Sequence, residues 1–408
     1  MEKQKLALYG GKPTRDKPLP YMHPGASFIG EEEIRAVKKV LKSKSLFRYY
    51  GPDFLNFTGS FESDFKEYLD IKYVLGLNAG HSALHCALLG VGVEPEDEVI
   101  IPTYGWVACP CAVVACGAKP VLANVDESLT LDPQDVEDKI SNRTKAIMAV
   151  HIRGVACDME PIMKVAKKYQ VKVVEDCAQA AGGSYRGKKL GTIGDAGAFS
   201  FQLNKMITAG EGGALATNDV KVYKFANLFH DEGALYREGK TSVEPIAGVN
   251  YRMTEVTAAI MTEQLKKIDK VIGLMRKHKG KIKKGISDID AIRFRKLPDP
   301  TGDTAVCLVF YLPTIKKTQE FERALHAENI YTTTGGYPPV IYHPKSFDGH
   351  VFVHWKHIFK GLDRVLDKYS RSLDFMSRAV HLDVSPILTD DDVNSIIEGV
   401  HKVAETLL

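Results

Sequence analysis

Residues 145–176 open on Lys145-Ala-Ile-Met-Ala-Val150, pass through Met159-Glu-Pro-Ile-Met-Lys-Val-Ala-Lys-Lys168, and close on Val171-Lys-Val-Val-Glu-Asp176. The two short apolar runs read as strands buried on both faces, and the stretch between them, with Ile162, Met163, Val165 and Ala166, reads as a helix. A strand, a helix and a strand in this order form a βαβ unit, and such units build a parallel sheet with helices on its faces. Upstream, Tyr73–Leu77 leads through Asn78-Ala-Gly-His-Ser82 to a helical run from Ser82 to Leu89. Val99–Ile101 and Pro120–Val125 continue the rhythm, and Ala198–Phe201 extends it downstream. Ligands in such sheets lie at the carboxyl ends of the strands.

One helix is predicted from about Thr254 to Lys284, where Val256, Ile260, Leu265, Ile268, Ile272 and Met275 form a stripe. It leaves the large domain. Beyond it, a strand at Ala305–Leu312 and helices near Thr318–Asn329 and Asp390–Leu407 predict a smaller α+β domain. The expected division is 1–265 for the large domain, with its N-terminal segment, and 266–408 for the small C-terminal one.

The 408 residues, 26% charged and 44% hydrophobic, exclude a disordered, collagen-like or mainly membrane-embedded chain. A balance of 54 Lys+Arg against 51 Asp+Glu demands no polyanionic partner, so neither nucleic acid nor an anionic membrane is expected. The basic run Arg276–Lys284 reads as a solvated helix face. Seven Cys without a C-x-x-C pair suit a reducing cytoplasm, and Cys109, Cys111 and Cys116 have no zinc-ligand spacing. The N-terminal stretch lacks the apolar core of a signal peptide, which leaves the sequons at Asn56 and Asn142 without meaning. Val99–Ala118 runs twenty residues without a charge, yet Pro102, Gly105, Pro110 and Gly117 interrupt it. A buried strand followed by a buried helix fits it better than a membrane span.

Asp176 stands where a buried strand ends. Four residues after the strand Ala198–Phe201 comes Lys205, within S-F-Q-L-N-K-M-I-T-A-G-E-G-G. Apolar surroundings lower a lysine's pKa, and its neutral amine attacks carbonyls to form imines. Taken singly, each residue has a plainer role, as a helix cap or a solvated lysine. Together with an anion site at the helix start after Asn78, they form the tether, ring-nitrogen partner and phosphate cradle that pyridoxal phosphate needs. Trp106, one of two Trp, follows the next strand, where its face can stack on a flat ring or fill the core.

Several motifs occur in order: G-G-K-P near the start, F-E-x-x-F-x-x-Y at Phe61–Tyr68, the Gly80 loop, and E-D-C-A-Q at Glu175–Gln179. S-F-Q-x-x-K-x-I-T-x-G-E-G-G from Ser200 and N-Y-R-M-T-E at Asn250–Glu255 complete the set. This set resembles the DegT/StrS family of sugar aminotransferases over nearly the whole chain. The resemblance implies fold type I, pyridoxal 5′-phosphate or its pyridoxamine form as cofactor, and a homodimer with sites at the subunit interface. It also implies transfer of an amino group from glutamate or glutamine to a keto sugar or keto cyclitol. By matching position, Lys205 would tether the cofactor and shuttle a proton, Asp176 would pair with the ring nitrogen, and Trp106 would stack on the ring. Gln179 would lie by the ring hydroxyl, Gly80, His81 and Ser200 would take the phosphate, and Asn250 would reach it from the partner subunit. His81 departs from the family's usual threonine, so that either an imidazole donor replaces the hydroxyl or the phosphate sits differently.

Lys205 argues against the family's dehydratases, which carry histidine there; an aminohydroxybenzoate synthase branch shares the lysine motif. F-R-Y-Y-G at Phe47, L-P-D-P-T-G-D at Leu297 and W-K-H-I at Trp355 look most like enzymes that aminate C8 of 8-oxo-Kdo. Phe47, Arg48 and Tyr49 offer two aromatic faces and a cation for an anionic sugar, and 343–355 is a second candidate substrate segment. A nicotinamide dehydrogenase fails because Gly90-Val-Gly92 follows a helix and Pro95 stands where the third glycine belongs. A ligand-binding protein that has lost turnover is the reading outside enzymes, and an intact Lys205 and Asp176 argue against it.

Overall fold

The computed structural model describes residues 5–233, 246–332 and 369–408, so the candidate segment 343–355 lies outside the described residues. Its centre is a seven-stranded sheet in the order β1-β9-β8-β5-β4-β2-β3, from β1 (Tyr73–Leu77), β2 (Glu98–Pro102), β3 (Lys119–Ala123), β4 (Thr144–Val150), β5 (Lys172–Asp176), β8 (Ala196–Ser200) and β9 (Gly213–Thr217). β9 alone runs against its neighbours; the pairs β8/β5, β5/β4, β4/β2 and β2/β3 are parallel. The near-absence of polar residues in β2, β4 and β8 follows from burial on both faces. One face packs Leu84, Leu88 and Val113 and the other Phe61, Phe65, Ile162 and Phe199.

Two helices before β1 were not read from the sequence. α1 (Glu31–Ser43) begins with three glutamates facing its positive end, and Glu33 Oε2 accepts the Gly30 amide at 2.8 Å. α2 (Phe57–Leu69) buries Phe61, Phe65 and Leu69 against the sheet, and its Asn56 cap accepts the Gly59 amide. The uncharged stretch after Glu98 divides as expected, into β2 and α4 (Ala108–Ala115). Among the described residues no helix is long and apolar enough to cross a membrane.

The helix predicted over 254–284 is two helices, α8 (Glu255–Leu265) and α9 (Ile268–Gly285). The stripe continues across the break, but the Gln264 and Lys267 side chains both turn to the buried carboxylate of Glu33, at 2.8 Å and 2.7 Å. That double contact rewards a break over a straight rod. The basic end of α9 is a largely exposed face, with Lys279 turned inward. Lys279 is buried against Asp303, Arg276 donates to the Asp303 carbonyl at 2.7 Å, and Lys281 pairs with Asp390.

The C-terminal part carries an antiparallel sheet of β10 (Arg293–Phe294), β11 (Cys307–Tyr311) and β12 (Ala379–Asp383). α10 (Ile315–Ala327) and the helix Asp390–Leu407 cover it with Phe321, Leu325, Ile396 and Val400. The N-terminal stretch joins this unit: Leu6 lies in its core, and Glu328 accepts the amides of Ala7 and Thr14 at 2.8 Å and 2.7 Å.

Candidate active site

The carboxyl ends of β4, β5 and β8 open into a cavity of about 710 Å³, whose lining includes Gly80, His81, Trp106, Arg153, Asp176, Gln179, Ser200 and Lys205. Residues 80 to 205 meet there because parallel strands point their carboxyl ends the same way. Asp176 is the last residue of β5 and is 5% exposed. Its Oδ1 accepts the Ala178 amide at 2.9 Å and its Oδ2 accepts the Cys109 thiol at 3.2 Å. Burial and the neighbouring carboxylate hold the Cys109 pKa well above the ordinary thiol value, so Cys109 stays a protonated donor. Lys205 lies in the turn after β8. Burial lowers its pKa, Asp176 opposes that shift, and Arg153 adds to it.

α3 (Gly80–Gly90) starts at the cavity wall with no side-chain cap, and the first intrahelical bond is donated by Ala83 to the Ala79 carbonyl, at 3.1 Å. The amides of Gly80, His81 and Ser82 precede that bond, so the helix offers them to an anion. A Cβ on Gly80 would stand 2.5 Å from the Cβ of Ser200, and one on Gly213 would strike the Ala79 carbonyl. Glycine at both places lets β8 and β9 close against the helix start, which leaves a shallow amide cradle beside Ser200. His81 lines the cavity and burial lowers its pKa. Trp106 also lines it and is 54% exposed.

Gln179 uses its Oε1 to accept the Arg153 amide at 3.0 Å. Arg153 itself, at φ 55°, was not singled out from the sequence, although it stands three residues past a strand end facing the ligand side. Asn250 forms a bridge with Asp231 and does not line the cavity of its own chain.

Arg48 requires a correction. It is not a cavity cation: its guanidinium is buried, donating to Glu62 Oε1 at 2.8 Å and to the Gly76 carbonyl at 2.9 Å. Two apolar neighbours in sequence suggested a ring-binding site, whereas the guanidinium serves to tie α2 to β1. Phe47 and Tyr49 also lie off the cavity lining; Phe47 packs edge-on to Tyr49, and the Tyr49 hydroxyl stands 3.3 Å from His230 Nε2. A second buried group was also missed. Glu175 accepts the amides of Gly191, Ile193 and Gly194 at 2.9, 2.7 and 2.7 Å and faces His151 Nε2 at 3.0 Å. His151 Nδ1 accepts the Cys157 amide at 3.1 Å, which leaves Nε2 to donate to Glu175.

A half-buried lysine, a strand-end carboxylate and an amide cradle thus share one cavity, and residues 27–401 match the model of the DegT/DnrJ/EryC1/StrS aminotransferase family. The chain belongs to that family. It is 34% identical to the GDP-perosamine synthase of Vibrio cholerae over 342 residues, 82% of this chain and 88% of that one. It is 33% identical to a dTDP-3-amino-3,6-dideoxy-alpha-D-galactopyranose transaminase of Aneurinibacillus thermoaerophilus over 84% of this chain and 88% of that one. The crystal structure of S. venezuelae DesV in complex with a ketimine intermediate superposes with a TM-score of 0.81 at 28% identity, covering 95% of this chain and 99% of that chain. The protein is therefore a pyridoxal phosphate-dependent aminotransferase of fold type I. The residues fit the cofactor: the cradle that a Cβ at Gly80 would fill suits a phosphate, and Lys205 and Asp176 in the same cavity would supply two further anchors.

Proposed function

We propose that this aminotransferase moves an amino group from L-glutamate or L-glutamine to a keto sugar or a related keto compound, with Lys205 and Asp176 as its catalytic pair. The observation that carries the reading is the convergence of the Lys205 amine and the Asp176 carboxylate on one cavity beside the open amides of α3. Pyridoxal phosphate, when bound, supplies a carbonyl that takes up the amino group and a ring that accepts the electrons released at the substrate carbon. Burial lowers the Lys205 pKa and so favours its neutral amine, the form that would tether the cofactor and then carry a proton at the substrate carbon. Asp176 keeps a proton on the ring nitrogen, and the Ala178 amide and the Cys109 thiol fix the carboxylate for that task. Trp106 would cover a face of the ring and Gln179 would lie by its hydroxyl. Gly80, His81 and Ser200 receive the phosphate, with imidazole in place of a hydroxyl at 81.

Asn250 lies away from the cavity of its own chain, and in a twofold homodimer it reaches the phosphate of the other subunit. The names of the V. cholerae and A. thermoaerophilus relatives point to a nucleotide-linked acceptor, and the sequence pieces at Phe47, Leu297 and Trp355 point to 8-oxo-Kdo. A panel of glutamate and glutamine against nucleotide-linked keto sugars, 8-oxo-Kdo and keto cyclitols, read by mass spectrometry, tests the proposal. Transfer to one of these from either donor is expected. Elimination chemistry without transfer to any of them replaces this reading with the synthase one.

A further inference from the structure

Three charged groups line the cavity besides Lys205: Asp176, Glu211 and Arg153. Among the described residues of the lining, Arg153 is the only arginine. A substrate carboxylate entering the cavity meets two like charges and one guanidinium, so the guanidinium decides where it rests. The position of that group is held from several sides. Its backbone is left-handed at φ 55° and its amide is fixed by Gln179 at 3.0 Å. Its Nη1 donates to Asp383 Oδ1 on β12 at 3.2 Å, and Tyr104 is a further neighbour. Asp383 and a phenol oxygen do not use all five donors of a guanidinium.

Arg295 lies close by, its Nη2 donating to the Ile152 carbonyl at 3.1 Å and its buried Nη1 finding no partner among the described residues. His381 is buried, its ring nitrogens have no hydrogen-bond partner among the described residues, and burial with Arg153 and Arg295 holds it neutral. Arg153 pairs with Asp383, Arg295 has Asp303 among its charged neighbours, and of the two guanidiniums Arg153 lines the cavity. The field of Arg153 also reaches Lys205. An amino-acid donor carries its amine and its carboxylate on one carbon, and the cavity is lined by both Lys205 and Arg153, which offers a partner for each.

We propose that Arg153 is the site for the α-carboxylate of the amino donor, with Asp383 as the internal carboxylate that holds the guanidinium until a donor enters. The assignment rests on the amino-donor reading above. It makes Arg153 a donor-specificity residue and leaves the acceptor to other parts of the cavity.

The test uses the holoenzyme with glutarate, a dicarboxylate that lacks the reacting amine, as a calorimetric probe, and with glutamate and glutamine in single-turnover absorbance measurements. Arg153→Gln is expected to weaken glutarate binding and raise the apparent dissociation constant of the donor by roughly 10- to 100-fold, the loss of a charged hydrogen-bonded pair. Its limiting rate in the donor half-reaction and its acceptor Michaelis constant change by less than about threefold. Asp383→Asn, which removes the competing carboxylate and leaves Arg153 in place, is expected to tighten glutarate binding, and it carries the test if Arg153→Gln does not fold. Equal glutarate affinity and donor constants in wild type and both variants overturn the assignment, as does a loss confined to the acceptor half-reaction. If wild-type enzyme reacts with neither glutamate nor glutamine, the donor reading fails first and the assignment falls with it.

Discussion

The thiol of Cys109 hydrogen-bonds the carboxylate of Asp176, 3.2 Å from Sγ to Oδ2, across 67 residues of sequence. A thiol is a weak donor, so it orients the carboxylate without quenching its charge. Cys109→Ser keeps a donor at that place and is expected to retain turnover within a few-fold. Cys109→Ala removes it and lowers kcat more than it raises the donor Michaelis constant. Asp176→Asn goes further: it is expected to bind the cofactor and stay coloured while turning over slowly, since the lost group acts in the transition state. Near-normal turnover in Asp176→Asn would reduce the residue to a structural cap.

Lys205 gives a pH prediction with a fixed sign. Burial lowers its pKa, so on raising the pH it loses its proton earlier than an ordinary lysine at roughly 10.4. In cofactor-free protein, acetylation of Lys205 followed by peptide mass spectrometry is expected to show a midpoint below that value. Asp176 favours the charged amine, so Asp176→Asn moves the midpoint lower still. In the holoenzyme, sodium borohydride is expected to fix the cofactor on the Lys205 peptide. Labelling of another lysine would remove Lys205 from the mechanism.

At Gly80 the issue is space. Gly80→Ala puts a Cβ 2.5 Å from the Ser200 Cβ, and backbone must move to admit it. Overpacking of this kind costs about 1–3 kcal/mol, which at the cradle appears as roughly 5- to 150-fold weaker cofactor retention, measured by dialysis and absorbance. Gly80→Ala with Ser200→Gly removes the clash and recovers part of the loss. Undiminished retention in Gly80→Ala would separate the cradle from the phosphate.

Glu175 is a stability residue. Its buried carboxylate is held below the ordinary carboxylate pKa, burial working against the shift while His151 and the Gly194 and Gly191 amides produce it. A depressed folded-state pKa contributes stability that is present above the unfolded value and is lost as the pH falls through the folded value. Glu175→Gln turns an acceptor into a donor that faces backbone amides and is expected to cost on the order of 3 kcal/mol. Thermal unfolding is expected to show this, with the difference between mutant and wild type narrowing in acid. A pH-independent difference would show that the charge has no part in it.

Arg48 distinguishes binding from architecture. Arg48→Ala leaves Glu62 and the Gly76 carbonyl without their donor and is expected to destabilise the fold by roughly 3–5 kcal/mol, the cost of breaking a buried pair. The fraction that folds keeps its acceptor Michaelis constant. A raised constant in stable protein would return Arg48 to the site.

Lys205, Asp176 and Gly80 were legible because each follows a buried strand, and strand ends converge whatever the rest of the sheet does. Arg153 was not, since its partner Asp383 lies 230 residues away and nothing local marks it. Glu175 and Cys109 were hidden for the same reason: their roles depend on Gly191, Gly194 and Asp176 arriving from other loops. β9 escaped notice because Gly-Ala-Leu-Ala-Thr carries little strand propensity, and pairing on both sides makes it a strand. The break between α8 and α9 was invisible to periodicity because the apolar stripe runs through it.

β1 sits at the sheet edge with β9 as its strand partner, Tyr73 opposite Thr217 and Leu77 opposite Gly213. During synthesis the ribosome must release more than a hundred further residues before Tyr73–Leu77 finds that partner. Until then an apolar strand with open amides waits beside the nascent β2–β5 layers, which complete their parallel pairing without it. Translation speed between residues 77 and 213 therefore sets how long this strand stays available to chaperones or to wrong pairing.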